Sequence, residues 1–263
     1  MSRRGDPPLA EWTRRLREAR EARALGRLLR ELRSDPRAGA VALAAAAARR
    51  LDRMRRERAR VARLFAGRRR LRSEGCRLVA GVDEVGVGPL AGPVVAAAVI
   101  LRDRVALPGL GDSKQLPRPL REELDAAIRD QAVAVSIGEV WPADVDRLNV
   151  YRAALEAMRR AVLGLDPPPD YVLVDARTIP GIAARQSAIV GGDARDGSIA
   201  AASIVAKVHR DAIMRRLEAE HPGYGFARHM GYSTREHLEA LRRLGPSPVH
   251  RRSFGPCSQL SLF

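Results

Sequence analysis

The chain has 263 residues, 46% of them apolar and 30% charged, with a net charge of +16. That length allows one large domain or a domain with an extension. No apolar run approaches the ~20 residues of a membrane span, and the first residues lack the order of a secretory signal. The two cysteines, Cys76 and Cys257, stand alone. This argues against a disulfide framework and a structural zinc site, and it fits a cytoplasmic protein. The charge is uneven. Residues 1–77 hold about half of all the basic residues and few of the acids, whereas residues 78–263 are close to neutral. The sequence therefore divides into a basic helical extension, 1–77, and a second domain, 78–263.

In chain order, residues 9–33 and roughly 37–74 carry apolar residues at near-helical spacing, with Asp35-Pro36 as a turn between them. This predicts a helical hairpin whose arginine-rich outer face either meets solvent or contacts nucleic acid. After Gly75 the pattern changes. Residues 78–84 and 93–101 read as buried strands on either side of a glycine-rich turn, and 131–140 as a third. Helices are expected at 117–129 and 142–163. A short strand at 171–175, "YVLVD", ends on an acid, and another follows at 186–190. Helices at 198–220 and 234–244 complete the pattern. Strands first, then strands alternating with helices, predict an α/β domain around one mixed sheet.

Acids stand at the ends of these strands: Asp83 and Glu84 after the first, Asp175 after "YVLV", and Asp193 in "IVGGDARDG". Ligands of α/β sheets gather at the carboxyl ends of strands. Four acids arriving there, with no cysteine and little histidine, suit Mg²⁺ or Mn²⁺. Two such cations could activate water and stabilise a leaving oxygen. Adjacent strand residues point to opposite faces, so Asp83 and Glu84 serve one site only if the strand bends; Gly86 and Gly88 follow directly.

"AGVDEVGVGPLAGPVVAAAVIL" at 80–101 resembles the signature of bacterial ribonuclease HII, the type 2 ribonuclease H. So do "DSKQL" at 112–116, "YVLVDAR" at 171–177, "AAASIVAKVHRD" at 200–211, "YGFARHMGY" at 224–232 and "HRRSFGP" at 250–256. Six blocks in order make the resemblance specific. It implies a ribonuclease H-like mixed sheet flanked by helices, with a C-terminal helical part that helps hold the duplex. It also implies a metal-dependent endoribonuclease that cuts the RNA strand of RNA–DNA hybrids, nicks DNA at embedded ribonucleotides and leaves 5′-phosphates. A monomer is expected. The implied metal ligands are Asp83, Glu84, Asp175 and Asp193, holding two Mn²⁺ or Mg²⁺ ions, with Asp211 as the competitor for the fourth place. Gly86 and Gly88 match glycines whose backbone approaches the ribose 2′-hydroxyl, and Tyr224 matches a tyrosine that packs against the sugar beside it.

The chain departs from the family at basic positions. Val87 stands where an arginine is usual, Gly191 and Met230 where lysine is common, and Gln115 where a second lysine is common. Remaining candidates for phosphate contacts are Ser113, Lys114, Ser203, Lys207, Arg251 and Arg252, with Arg177 and Arg195 as partial substitutes. The departures leave a second reading open, a catalytically weakened hybrid-binding protein. A third, another metal nuclease of the superfamily, fits the ordered blocks less well.

Overall fold

The structure, a computed structural model, describes residues 7–260. The chain forms two compact units that part between Arg63 and Leu64, earlier than the expected boundary at 77.

The first unit contains α1 (Leu9–Glu18), α2 (Ala22–Arg33) and α3 (Ala38–Leu64), the last running to the boundary. The single helix expected over 9–33 is broken at 19–21. Leu25 lies nine residues after Leu16, half a turn out of phase at 100° per residue. A continuous helix would put the Trp12–Leu16 stripe opposite the leucines of α2. The break lets Trp12, Leu25, Leu28, Leu29 and Leu32 share one core with Ala40, Ala44, Ala47 and Leu51 of α3. Asp35 latches the turn, accepting from the Trp12 indole N–H at 3.2 Å and pairing with Arg37 at 2.5 Å.

The second unit begins with α4 (Ala66–Ser73) and carries five strands: β1 (Val79–Val85), β2 (Val94–Leu101), β3 (Ala132–Val140), β4 (Tyr171–Asp175) and β5 (Arg185–Ile189). They form one mixed sheet in the order β3-β2-β1-β4-β5, antiparallel across β1, β2 and β3 and parallel across β1, β4 and β5. α5 (Arg118–Gln131) leads into β3. The helix expected over 142–163 is two, α6 (Pro142–Leu148) and α7 (Val150–Leu163). Asn149 separates them at φ 66°, and its side chain accepts from the Arg152 N–H as a cap. Then come α8 (Gly192–Arg195), α9 (Gly197–Glu220), α10 (Phe226–His229), α11 (Arg235–Leu244) and α12 (Gly255–Leu260).

The period of two along β1 sets up the site. Ala80 and Val82 pack with Val172, Val174 and the alanines of α7, whereas Val79 packs with Leu173 and Ile199 of α9. The two helices therefore cover opposite faces. α9 approaches β1 so closely that any side chain at Gly81 would overlap the Ser198 backbone. Among the described residues no helix is long and apolar enough to cross a membrane.

Candidate active site

The β1–β4 ladder runs from Val79–Tyr171 to Val82–Val174 and stops, leaving Asp83, Glu84 and Asp175 just beyond it. The expected bend does not fall between the two acids. β1 keeps register with β2 through Val85, and the chain turns only at Gly86, φ 87°. Asp83 thus lies on the α9 face, where Ser203 of that helix favours its charged form. Glu84 lies on the α7 face, and Arg177 meets its carboxylate at 3.3 Å while stacking on Tyr151. Both carboxylates still interact with Asp175. The longer side chain is the one on the far face, which is what bringing both heads to one strand end requires.

The acids are held rather than simply exposed. The Asp83 carboxylate accepts from the Glu84 N–H at 2.7 Å. Ser113 and Ser203 lie 2.9 Å apart, both buried. Ser203 also acts on the Asp83 carboxylate, so the buried serine pair lies beside that acid. Asp175 accepts from the Gly192 N–H at 2.7 Å. That bond ties it to α8, where the next residue is Asp193. Lys114, 73% exposed at its side chain, stands 3.7 Å from Asp193. Its ammonium is attracted first to Asp193 and then to Asp83, Asp112 and Asp175, which puts a mobile positive charge beside the acid group.

Burial, and then the neighbouring Glu84 charge, push Asp83 well above the usual carboxylate range, against the opposing bond from Ser203. Burial also raises Glu84, with Arg177 opposing. One Glu84 oxygen, Oε2, is buried with no hydrogen-bond partner. Desolvated, mutually repelling carboxylates with an orphaned oxygen form a site short of positive charge. Among the described residues no three acids, histidines or cysteines close into a ready metal cage. The donor set is nonetheless all oxygen and fits a hard divalent cation.

Several sequence candidates have other partners. Asp211 is paired with Lys207 at 2.7 Å and Arg121 at 3.6 Å, so both Asp211 and Lys207 have structural partners. Arg195 is exposed and donates to the Val190 carbonyl. Arg252 is exposed, its backbone N–H bound by Asp146.

Two expectations are corrected. Arg251, read as a phosphate contact, is fully buried. Its guanidinium donates to the carbonyls of Gly86 at 2.5 Å, Val87 at 3.0 Å and Gly92 at 2.9 Å. Tyr224, read as the residue against the sugar, is a core residue. It stacks on Phe226 with ring centroids 5.2 Å apart and donates its hydroxyl to the Gly245 carbonyl at 2.7 Å.

The exposed aromatic beside the glycine loop is Tyr232, 43% exposed. Its ring would lie 3.8 Å from a Cβ at Gly88. It ends the same quoted block, "YGFARHMGY", and sequence alone could not say which of the two tyrosines is buried. A histidine relay fixes it from behind. His237 Nδ1 donates to the Tyr232 carbonyl at 2.9 Å, which leaves Nε2 to accept from His250 Nε2–H at 3.1 Å. His250 Nδ1 then accepts from the Ser247 N–H at 3.0 Å. Every ring is neutral with one tautomer. A second buried arginine, Arg210, carries no signal of its burial in the sequence. It donates to the carbonyls of Pro93, Met230 and Ala91.

Comparison with known proteins agrees with this architecture. A sequence model described as Ribonuclease HII matches residues 80–257. The chain is 49% identical over 229 residues to Ribonuclease HII of Geobacillus kaustophilus, covering 87% of this chain and 88% of that one. It is 50% identical over 230 residues to Ribonuclease HII of Myxococcus xanthus, covering 87% and 78%. These alignments are longer than the second unit, so they take in part of the N-terminal unit as well. Among solved structures, the ribonuclease H2 of Pyrococcus horikoshii superposes with a TM-score of 0.61 at 26% identity, over 71% of this chain and 98% of that one. The ribonuclease HII of Archaeoglobus fulgidus, solved in complex with PCNA, superposes with a TM-score of 0.58 at 28% identity, over 68% and 96%. With its mixed sheet, its acids at one strand end and relatives near 50% identity along most of its length, the chain belongs to the Ribonuclease HII family of type 2 ribonucleases H.

Proposed function

We propose that this endoribonuclease hydrolyses the RNA strand of RNA–DNA hybrids and nicks DNA at single embedded ribonucleotides, using the acids at the end of β1 and β4. The observation that carries the reading is the convergence of Asp83, Glu84 and Asp175 beyond one ladder, with a Glu84 oxygen left unpartnered. Asp193 joins them through α8 and Lys114.

Asp83, Glu84, Asp175 and Asp193 would hold divalent cations, Mn²⁺ or Mg²⁺. When bound, such cations supply Lewis-acid stabilisation of the reacting phosphate and activation of the attacking water. The protein's own groups do the rest. Ser203, paired with Ser113, favours the charged Asp83 carboxylate, and Arg177 fixes Glu84. Lys114 meets the incoming phosphate at the mouth of the site and offsets the acids' charge. Gly88, exposed and without a side chain, lets the duplex come close to the loop, where the 2′-hydroxyl separates RNA from DNA. Tyr232 offers a flat face to the adjoining sugar. The weakened-binder reading is not favoured, because a protein that only grips hybrids has no use for a desolvated cluster of like charges.

The test is cleavage of a duplex carrying one ribonucleotide, with each metal in turn, by the wild type and by Asp83→Asn and Asp175→Asn. Each variant should lose activity by a thousandfold or more, since preorganised charge at such sites is worth about 10²–10³ for even a single donor. Near wild-type cutting by either variant at saturating metal would show that the site lies elsewhere.

A further inference from the structure

The loop from Gly86 to Pro93 follows the acids at the end of β1, and two guanidiniums bind its carbonyls. Arg210 and Arg251 are each fully buried. Neither has a carboxylate within ion-pair distance among the described residues; their partners are carbonyls. Between them they take the carbonyls of Gly86, Val87, Ala91, Gly92 and Pro93, and Arg210 also takes that of Met230 in the turn before Tyr232. Burial lowers both guanidiniums, Arg251 to about 9 and Arg210 to about 10. Both remain cations near neutrality.

The consequence follows from peptide geometry. In a trans peptide, C=O and N–H point in opposite directions. With the Gly86 and Val87 carbonyls turned in to Arg251, the N–H groups of Val87 and Gly88 point away from it. Among the described residues neither N–H has a partner. Guanidiniums polarise the peptides they bind, so these outward amides become stronger donors. The two charges behind them also make that face of the loop attractive to an anion.

We propose that Arg210 and Arg251 are positioning residues of the reaction. They hold the Gly86–Pro93 loop with its carbonyls inward and its Val87 and Gly88 amides presented to the ribose–phosphate backbone, and they place behind it the positive charge that no side chain at position 87 provides. Arg210 braces this loop against the Tyr232 turn, so the two surfaces that flank the sugar keep a fixed spacing. The proposal rests on the ribonuclease reading of the same site and adds the residues that give it discrimination.

The test measures discrimination rather than activity alone. Binding of a duplex with one ribonucleotide and of the same all-DNA duplex is followed by fluorescence anisotropy in EDTA, using the full chain and its Arg251→Lys and Arg210→Lys variants. Lysine keeps the charge but cannot reproduce the guanidinium fork. Each variant should lose the ribonucleotide preference by tenfold or more while all-DNA binding stays within twofold. A generalised loss of packing would weaken both duplexes together. In the wild type, exchange of the Val87 and Gly88 amides should slow at least tenfold when the ribonucleotide duplex binds. Folded variants that keep the wild-type preference, unfolding of both variants, or unchanged amide exchange would each overturn the proposal. A wild type that neither prefers nor cuts the ribonucleotide duplex would instead remove the ribonuclease reading beneath it.

Discussion

Acid should weaken this fold through one histidine. His250 is buried, and burial together with the neighbouring His237 pushes it from 6.5 down to about 4. His237 shifts the same way, again chiefly from burial. His229 and His221 add to the unfavourable charge around His250. The relay has no place for another proton, since His250 Nδ1 already faces a donor and His237 Nε2 already accepts one. A folded-state value below the unfolded one means the neutral form belongs to the fold. The stability is therefore fully present above pH 6.5 and is lost as pH falls toward 4. The shift corresponds to roughly 2–4 kcal/mol, or about 4–16 °C in Tm for a unit of this size. Asp83 and Glu84 act in the opposite sense, because their raised values make acid relieve their burial. The assay must separate the two. Thermal melts between pH 4 and 7.5 at fixed ionic strength, on wild type and His250→Gln, do so by comparing slopes rather than baselines. The variant should lose most of the acid-side fall in Tm. Identical slopes would show that His250 is not held neutral by the fold and that the tautomer chain through Tyr232 is wrong.

Tyr232→Ala should lower cleavage at a single ribonucleotide by about 5–150-fold, the equivalent of ~1–3 kcal/mol of stacking, with melting unchanged. Tyr224→Phe should cost about 1 kcal/mol of stability through the missing bond to Gly245 and leave cleavage intact; the reverse pattern in kinetics and melts would return the sugar-facing role to Tyr224. Removing residues 1–63 should leave cleavage working but weaken duplex binding and flatten its salt dependence, by about 0.9 in the log–log slope for each phosphate no longer neutralised. An unchanged slope would leave the arginines of α2 and α3 to solvent or to a protein partner.

The parts of the fold legible in the sequence are those decided by local pattern. "VVAAAVIL" and "YVLVD" are apolar runs too short for helices, and both form buried strands. The single helices expected over 9–33 and 142–163 pass over local signals that are present: Asn149 is a cap residue, and the phase jump between Leu16 and Leu25 can be counted along the residues themselves. The illegible parts depend on distant partners. Phe65 and Arg68 sit in an arginine run that looks like extension. Yet Phe65 packs on Gly197, and Arg68 donates to the Leu101 and Arg102 carbonyls, so the second unit starts sooner than composition indicates. Arg251 resembles a surface base because nothing near it in sequence is an acid; its partners are carbonyls more than 150 residues away. Tyr224 and Tyr232 differ only in what covers them, and His250, which covers Tyr224, comes from the far end of the domain.

Val87 brings these strands together. Its side chain is half-buried against the apolar cluster that contains Ile179 and Phe254, while its carbonyl is held by Arg251. Side chain and loop geometry are therefore largely independent at this position, since Arg210 and Arg251 grip the backbone whatever the side chain is. Val87→Arg should consequently keep the loop in place. It should give up part of the ~1.5–3 kcal/mol of a fully buried valine, with the arginine's methylene stem recovering some of it, for a net cost of about 1 kcal/mol in a melt. In return a guanidinium would project beside the exposed Gly88. One charge-assisted phosphate contact is worth ~1.5–3 kcal/mol, and ~1.4 kcal/mol is a factor of ten. Thus kcat/KM on a single-ribonucleotide duplex should rise about tenfold at low salt, and the gain should shrink as salt screens the new contact. The opposing force is repulsion from the two cations already behind the loop. If that dominates, kcat/KM falls with no more than that small loss in the melt, and the loop has evolved to work with buried charge in place of a clamp at position 87.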